Sequence, residues 1–175
     1  MVTITISGLP GSGKTTVAKL LEEKLKIKYV YSGDLFRTMA KQHHMSLEEF
    51  GRYCEHHREV DEKLDSNQLK ILRKGDVIVE GRLAGWLAYQ NKVPALKILI
   101  AANQDTRVKR IMKREEGNIA QRKLEMLTRE KSEAKRYKTY YKIDITDTSI
   151  YDIVIDSAQK TPDEIVDIIL EKLRK

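Results

Sequence analysis

The segment Gly8-Leu9-Pro10-Gly11-Ser12-Gly13-Lys14-Thr15 carries more chemistry than any other stretch of this chain. Glycines at 8, 11 and 13 let the backbone curl with no Cβ in the way, so successive N–H groups can surround the oxygens of a phosphate. Lys14 is spaced to reach the outer phosphates of a nucleoside triphosphate, and the Thr15 hydroxyl to ligate the accompanying Mg²⁺. The flanks are those such a loop requires. Val2-Thr3-Ile4-Thr5-Ile6 reads as a β-strand, and Thr16 to Leu25 as a helix whose start adds its positive dipole end. A nucleoside triphosphate is therefore expected on Gly8 to Thr16.

A second tier of residues stands elsewhere. Glu80 ends the apolar run Val77-Ile78-Val79, where an acid can hold Mg²⁺ or its waters; a glutamate is expected to act there through water. Arg82 follows after Gly81 and can grip a phosphate bidentately, as can Arg37, one turn into a helix that Asp34 is expected to cap. Arg129, Glu133 and Arg136 lie at i, i+4 and i+7 and share one helix face, which suits either a salt-bridge ladder or a set of arginines delivered to a phosphoryl group. His43, His44, His56 and His57 form adjacent pairs without zinc-site spacing and are expected at the surface or in helix packing. Trp86, Tyr140 and Tyr141 are expected in packing roles, and Cys54 as a buried helix thiol.

These residues need elements to position them. Strands are expected at 2–6, 29–31, 77–82, 95–101 and 152–156. Helices are expected at 16–25, from about Asp34, over 46–72 behind the capping box Ser46-Leu47-Glu48-Glu49, at 105–115, over 121–141 and from Thr161-Pro162 onward. Alternating strands and helices predict an α/β fold, a parallel sheet with helices on both faces. The P-loop, Ser32 to Arg37 and Glu80 to Arg82 then converge at the carboxyl ends of the strands, which suits a site for two ligands.

Composition bounds the rest. A chain of 175 residues is one domain's worth, with no apolar run of 18 residues and a single cysteine, so a soluble cytoplasmic protein without membrane contact is expected. The net charge is +7, and residues 107–142 hold thirteen basic against five acidic side chains, so the positive excess sits in one segment. Clustered nucleotide phosphates or nucleic acid would suit it.

Together the motifs resemble those of the nucleoside monophosphate kinases, and within them the cytidylate kinases of the short archaeal form. Gly8 to Thr16 is similar to the family's ATP loop, Tyr31-Ser32-Gly33-Asp34-Leu35-Phe36-Arg37 to its DSGxxYR stretch, and Glu80-Gly81-Arg82 to its DGR. Arg107 and Arg110 resemble its RxxR, and Arg129-x₃-Glu133-x₂-Arg136 its RxxxDxxR. The resemblance implies a P-loop kinase fold with a five-stranded sheet: a core of 1–31, 76–115 and 150–175, a monophosphate-binding insert of about 32–75 and a lid of about 116–142. It implies transfer of the γ-phosphoryl of ATP to CMP or dCMP with Mg²⁺. A monomer without a nucleic-acid partner is expected. Lys14, Arg82, Arg129 and Arg136 would neutralise the transferring phosphoryl. Ser32, Asp34, Arg37, Gly81 and Arg82 would form the monophosphate side, where Glu133 would meet the ribose. Thr15, Glu80 and Asp34 would organise the metal shell, and Ser157-Ala158 would lie by the adenine.

The chain departs from the bacterial pattern at two places. Leu83 stands where an aspartate reads the base, and Val60-Asp61, with Arg58 nearby, stands where an arginine does so. The base-reading residues are thus open at this level. So are rival acceptors (AMP, UMP or a small-molecule hydroxyl, as in shikimate-type kinases) and an RNA-binding or ribosome-assembly role on the same fold.

Overall fold

The computed structural model describes residues 2–114 and 117–174. β1 (Thr3–Ser7), β2 (Lys28–Tyr31), β3 (Val77–Glu80), β4 (Leu96–Ala101) and β5 (Ile153–Asp156) form a parallel sheet of order β2-β3-β1-β4-β5. The register sets Ile6 beside Glu80 and Ile98, and Tyr31 beside Glu80. The carboxyl end of β1 therefore lies between those of β3 and β4. The chain after β1 runs to β2 on one side while the chain after β3 crosses to β4 on the other, and the resulting crevice is where ligands bind in such folds.

Alternate residues of the strands feed two cores, as a sheet buried on both faces requires. α1 (Lys14–Leu25) and α8 (Pro162–Leu173) cover one face, packing Val17, Leu21, Ile165 and Ile169 on Ile4, Ile6, Ile78 and Ile98. Val77 and Val79 point the other way, into a core with Leu72, Trp86, Leu87 and Tyr137. That core is contributed by α4 (Arg58–Lys74), α5 (Ala84–Gln90) and α7 (Ile119–Tyr141). A smaller cluster of Phe50, Cys54, Val60 and Leu64 joins α2 (Ser32–Gln42), α3 (Leu47–Cys54) and α4. α6 (Gln104–Met112) meets α7 through Val108, Ile111 and Met126.

Several expectations hold and several are corrected. The Ser46–Glu49 capping box forms, but the helix it opens ends at Cys54. His57 leaves helical geometry at φ −129° and ψ 72°, so the expected single helix over 46–72 is two. α5 was not anticipated, because its sequence AGWLAYQ is short and apolar on nearly every side and so carries no 3.6-residue contrast. α6 ends at Met112, and the expected end at Glu115 lies outside the described residues. α7 is one continuous helix of 23 residues. Cys54 is buried and its thiol is pushed up to about 12, chiefly by burial. Trp86 is buried, and Tyr140 donates its hydroxyl hydrogen to the Cys54 carbonyl at 2.7 Å, both packing roles. His43 and His57 lie against the Tyr53 ring. Among the described residues there is no cluster of three metal-ligating side chains, and no helix is long and apolar enough to cross a membrane.

Candidate active site

The loop after β1 turns through Gly11 at φ 77° and Gly13 at φ 95°, left-handed values that a side chain rarely tolerates. A Cβ on Gly11 would lie 2.6 Å from the Arg107 carbonyl oxygen, so the position is closed sterically as well. Gly13 stands at the N-cap of α1 and makes no side-chain cap, and no acid occupies the first turn. The N–H groups there lack a side-chain acceptor and face the crevice, ready for an anion. Lys14 folds back so that Nζ donates to the Leu9 carbonyl at 2.9 Å. Burial pushes its ammonium down to about 7, with the nearby Arg82 charge adding to the shift.

Thr15 and Glu80 come together across the strand ends. Thr15 Oγ1 donates to Glu80 Oε1 at 2.9 Å, and the Tyr29 hydroxyl donates to Glu80 Oε2. Tyr29 was not singled out in the sequence; as one aromatic in a short strand it carries no signal until β2 is laid beside β3. Ser32 donates to the Glu80 carbonyl at 2.8 Å, tying α2 to the end of β3. Thr15 and Glu80 offer hard oxygen ligands only, a set that fits Mg²⁺ held jointly by protein, phosphate and water.

The arginines are organised by carboxylates. Arg82 Nε donates to Glu133 Oε2 at 2.5 Å, and Arg129 Nε to Glu133 Oε1 at 3.2 Å. Glu133 is 4% exposed, and although burial opposes its charge, the arginine charges hold its carboxyl below the usual range. Both of its oxygens are thus engaged by arginines rather than open to a sugar. Arg136 turns away from this pair and donates through Nη1 to Asp61 Oδ1 at 2.5 Å. Its guanidinium pKa is raised by Tyr137, Asp61 and Glu133 against the opposing effect of burial. The shared face of α7 is therefore a ladder between Arg129 and Glu133 that is also joined to Arg82 on the loop after β3, with Arg136 in a separate pair.

A cleft of about 680 Å³ opens between these groups, lined by Lys14, Thr15, Arg37, Glu80, Arg82 and Arg129 among others. A smaller cavity of about 70 Å³ shares Lys14, Arg82 and Arg129 with it and is lined also by Ser32, Gly81, Glu133 and Arg136. Arg37 lies over the Tyr31 ring, 4.8 Å from its centre. Asp34 does not cap α2, which already begins at Ser32; it sits in the first turn and pairs with Arg37 at 3.5 Å. It lines neither cavity. On the far side, Ser157 donates to the Ser12 carbonyl at 2.7 Å, and Arg110 donates to the Ser157 carbonyl at 2.7 Å and to that of Ser12 at 3.2 Å. Ala158 follows on the same loop, its N–H donating to Asp156. Arg107 bridges the Pro10 carbonyl and Glu130 of α7. Arg107 and Arg110 brace the outside of the phosphate loop.

Residues 3–159 match the model of the cytidylate kinase-like family. The cytidylate kinase of Methanocaldococcus jannaschii is 44% identical over 98% of this chain and 99% of its own. That of Methanococcus vannielii is 48% identical over 89% of this chain and 90% of its own. Among solved structures, a shikimate kinase from Bacteroides thetaiotaomicron superposes with a TM-score of 0.60 at 15% identity, over 99% of both chains, which shows a shared kinase fold. The match spans the phosphate loop, the strand-end acid and the arginine-bearing helix alike, and the chain belongs to the cytidylate kinase-like family.

Proposed function

We propose that this chain transfers the γ-phosphoryl of ATP to CMP, and to dCMP, giving ADP and the corresponding diphosphate. One observation carries the reading: Lys14 of the phosphate loop and Arg82 with Arg129 of a second cationic group line one cleft. A protein that only bound or hydrolysed ATP would have no use for the second group. Transfer between two phosphates needs alignment and charge neutralisation more than covalent chemistry.

The glycine loop and the start of α1, Gly8 to Thr16, hold the donor phosphates, with Ser157 and Ala158 beside the adenine. Arg37 and Arg82 hold the acceptor phosphate, with Ser32 and Gly81 shaping its floor. Glu133 keeps Arg82 and Arg129 side by side until the phosphates arrive, after which the ribose can compete for it. Arg136 contributes positive potential from its pair with Asp61. Mg²⁺ would be held by Thr15 and, through water, Glu80, and would shield the donor phosphates and polarise the transferring group. Residues 1–31, 76–115 and 150–175 act as the core, about 32–75 as the acceptor-binding part and about 116–142 as a lid that excludes water. Residues 115 and 116 fall outside the described part.

The test is a panel of CMP, dCMP, UMP, AMP and shikimate with ATP and Mg²⁺. CMP or dCMP should give the highest kcat/KM; a preference for AMP or shikimate would sink the acceptor assignment.

A further inference from the structure

Asp61, Asp65 and Gln68 stand at i, i+4 and i+7 on α4, so one helix face presents them together to the smaller cavity. All are buried, at 4%, 8% and 9% exposure. Their hydrogen bonds are incomplete. Asp61 accepts from Arg136 through Oδ1, and Asp65 Oδ1 accepts from Gln68 Nε2 at 3.2 Å. Oδ2 of Asp61, Oε1 of Gln68 and Nε of Arg136 have no partner. Oδ2 of Asp65 and the Tyr141 hydroxyl interact with each other but make no well-formed hydrogen bond. Buried acceptors without donors lower stability and are rare in folded proteins. Several in one wall, beside an arginine N–H that also lacks a partner, mark places for groups that arrive with a ligand.

The cavity lining carries charges of both signs. Lys14, Arg82 and Arg129 contribute cations from the phosphate-loop side, while α4 contributes the carboxylates of Asp61, which is paired with Arg136, and Asp65. Phe36, Leu64 and Tyr137 also line it. A ligand that fits has an anion at one end, a flat ring, and an N–H₂ group on the far edge. Gly81 keeps the floor open, since a Cβ there would come 2.9 Å from Gln68 Oε1.

We propose that Asp65 and Gln68 read the acceptor base by accepting from the exocyclic amine of cytosine, while Arg136 Nε donates to the N3 and O2 side of the ring. Asp61 is a positioning residue that holds Arg136. This inference rests on the CMP reading above and adds the residues that separate cytosine from uracil. Uracil carries a carbonyl oxygen where cytosine carries the amine, so it sets an acceptor against a carboxylate and leaves the Gln68 oxygen unpaired. It also accounts for Leu83. That side chain belongs to the apolar core and lines the same cavity without a polar group, so the base-reading carboxylate comes from α4 instead.

Asp65→Asn and Gln68→Leu test this with kcat/KM for CMP and UMP at saturating ATP. Asp65→Asn should lower the CMP-to-UMP ratio by roughly tenfold to a hundredfold, since one good base-edge pair discriminates by about that much. Gln68→Leu should lower it less, and the ATP KM should stay within about twofold in both. Melting curves of the nucleotide-free protein separate a structural role. Asp65 faces Asp61 on α4 and Arg136, Tyr137 and Tyr141 on α7, and burial pushes its carboxyl up to about 7. Its charge therefore opposes folding at pH 8, and Asp65→Asn should melt no lower than wild type there. Unchanged CMP-to-UMP ratios in both variants, or equal losses on CMP and UMP with a lowered melting temperature, would overturn the inference while leaving the CMP reading intact. A wild-type enzyme that uses neither pyrimidine nucleotide overturns both.

Discussion

Lys14 is the residue whose chemistry the fold alters most. Desolvation by burial is the largest influence on it and the Arg82 charge the next; Arg129 adds to the lowering, while Glu80 and Glu133 oppose it. A lysine held at about 7 in the fold and near 10.5 when unfolded binds fewer protons in the native state across that window. The free protein should therefore gain stability as pH rises from about 7 toward 10.5, the penalty being complete below the lower value. A bound triphosphate reverses the balance and draws a proton onto Lys14. Calorimetry of ATP binding at pH 8, in buffers of different ionisation enthalpy, should show proton uptake in wild type and little in Lys14→Met; buffer-independent heats in wild type would count against it. Arg82 makes a different prediction. Arg82→Lys keeps the charge and loses the planar fork, so kcat/KM for the monophosphate should fall by about 2 kcal/mol, roughly thirtyfold, with the ATP KM moving less. Equal effects on both nucleotides would remove Arg82 from the acceptor side.

At the scale of the element, α7 divides into halves with different surroundings. Ser132, Glu133, Arg136 and Tyr137 are buried, whereas Ile119 and Leu124 are 62% and 66% exposed. Glu133 is the hinge of the arrangement because it holds arginines from two elements. Glu133→Ala leaves Arg82, whose side chain is 17% exposed, without its carboxylate, and should cost about 3 kcal/mol in denaturant unfolding. Glu133→Gln should lose less, because its amide oxygen still accepts from one arginine. A simple surface ladder would instead lose at most about 1 kcal/mol on the same substitution. The sequence placed Arg129, Glu133 and Arg136 on one face correctly, since helical spacing is local geometry. It could not say that Arg136 would leave the set. Its partner Asp61 lies 75 residues away, and only the packing of α4 on α7 brings the two together.

For the whole molecule, closure over both nucleotides is the behaviour to measure. Arg107 anchors α7 through Glu130 and touches the phosphate loop through Pro10, so the middle of α7 is mechanically joined to the donor site. Hydrogen exchange over residues 117–137 should slow strongly with a bisubstrate analogue and much less with ATP alone. Equal protection by both would argue against closure on the ternary complex. The sequence by itself determined the α/β class, the phosphate loop, the strand-end acid and the arginines, because each depends on residue type and on spacing of a few positions. It left unseen α5, whose apolar sequence lacks periodic contrast, and the break between α3 and α4, which backbone geometry at His57 sets. Only the tertiary structure decided which carboxylate holds which arginine, and that Tyr29 supports Glu80. It alone decided that Asp61, Asp65 and Gln68 face a cavity rather than solvent. On one helix those residues read as a wet polar stripe; burial against α7 and the loop after β3 turns them into acceptors without donors, and that is a property no local pattern contains.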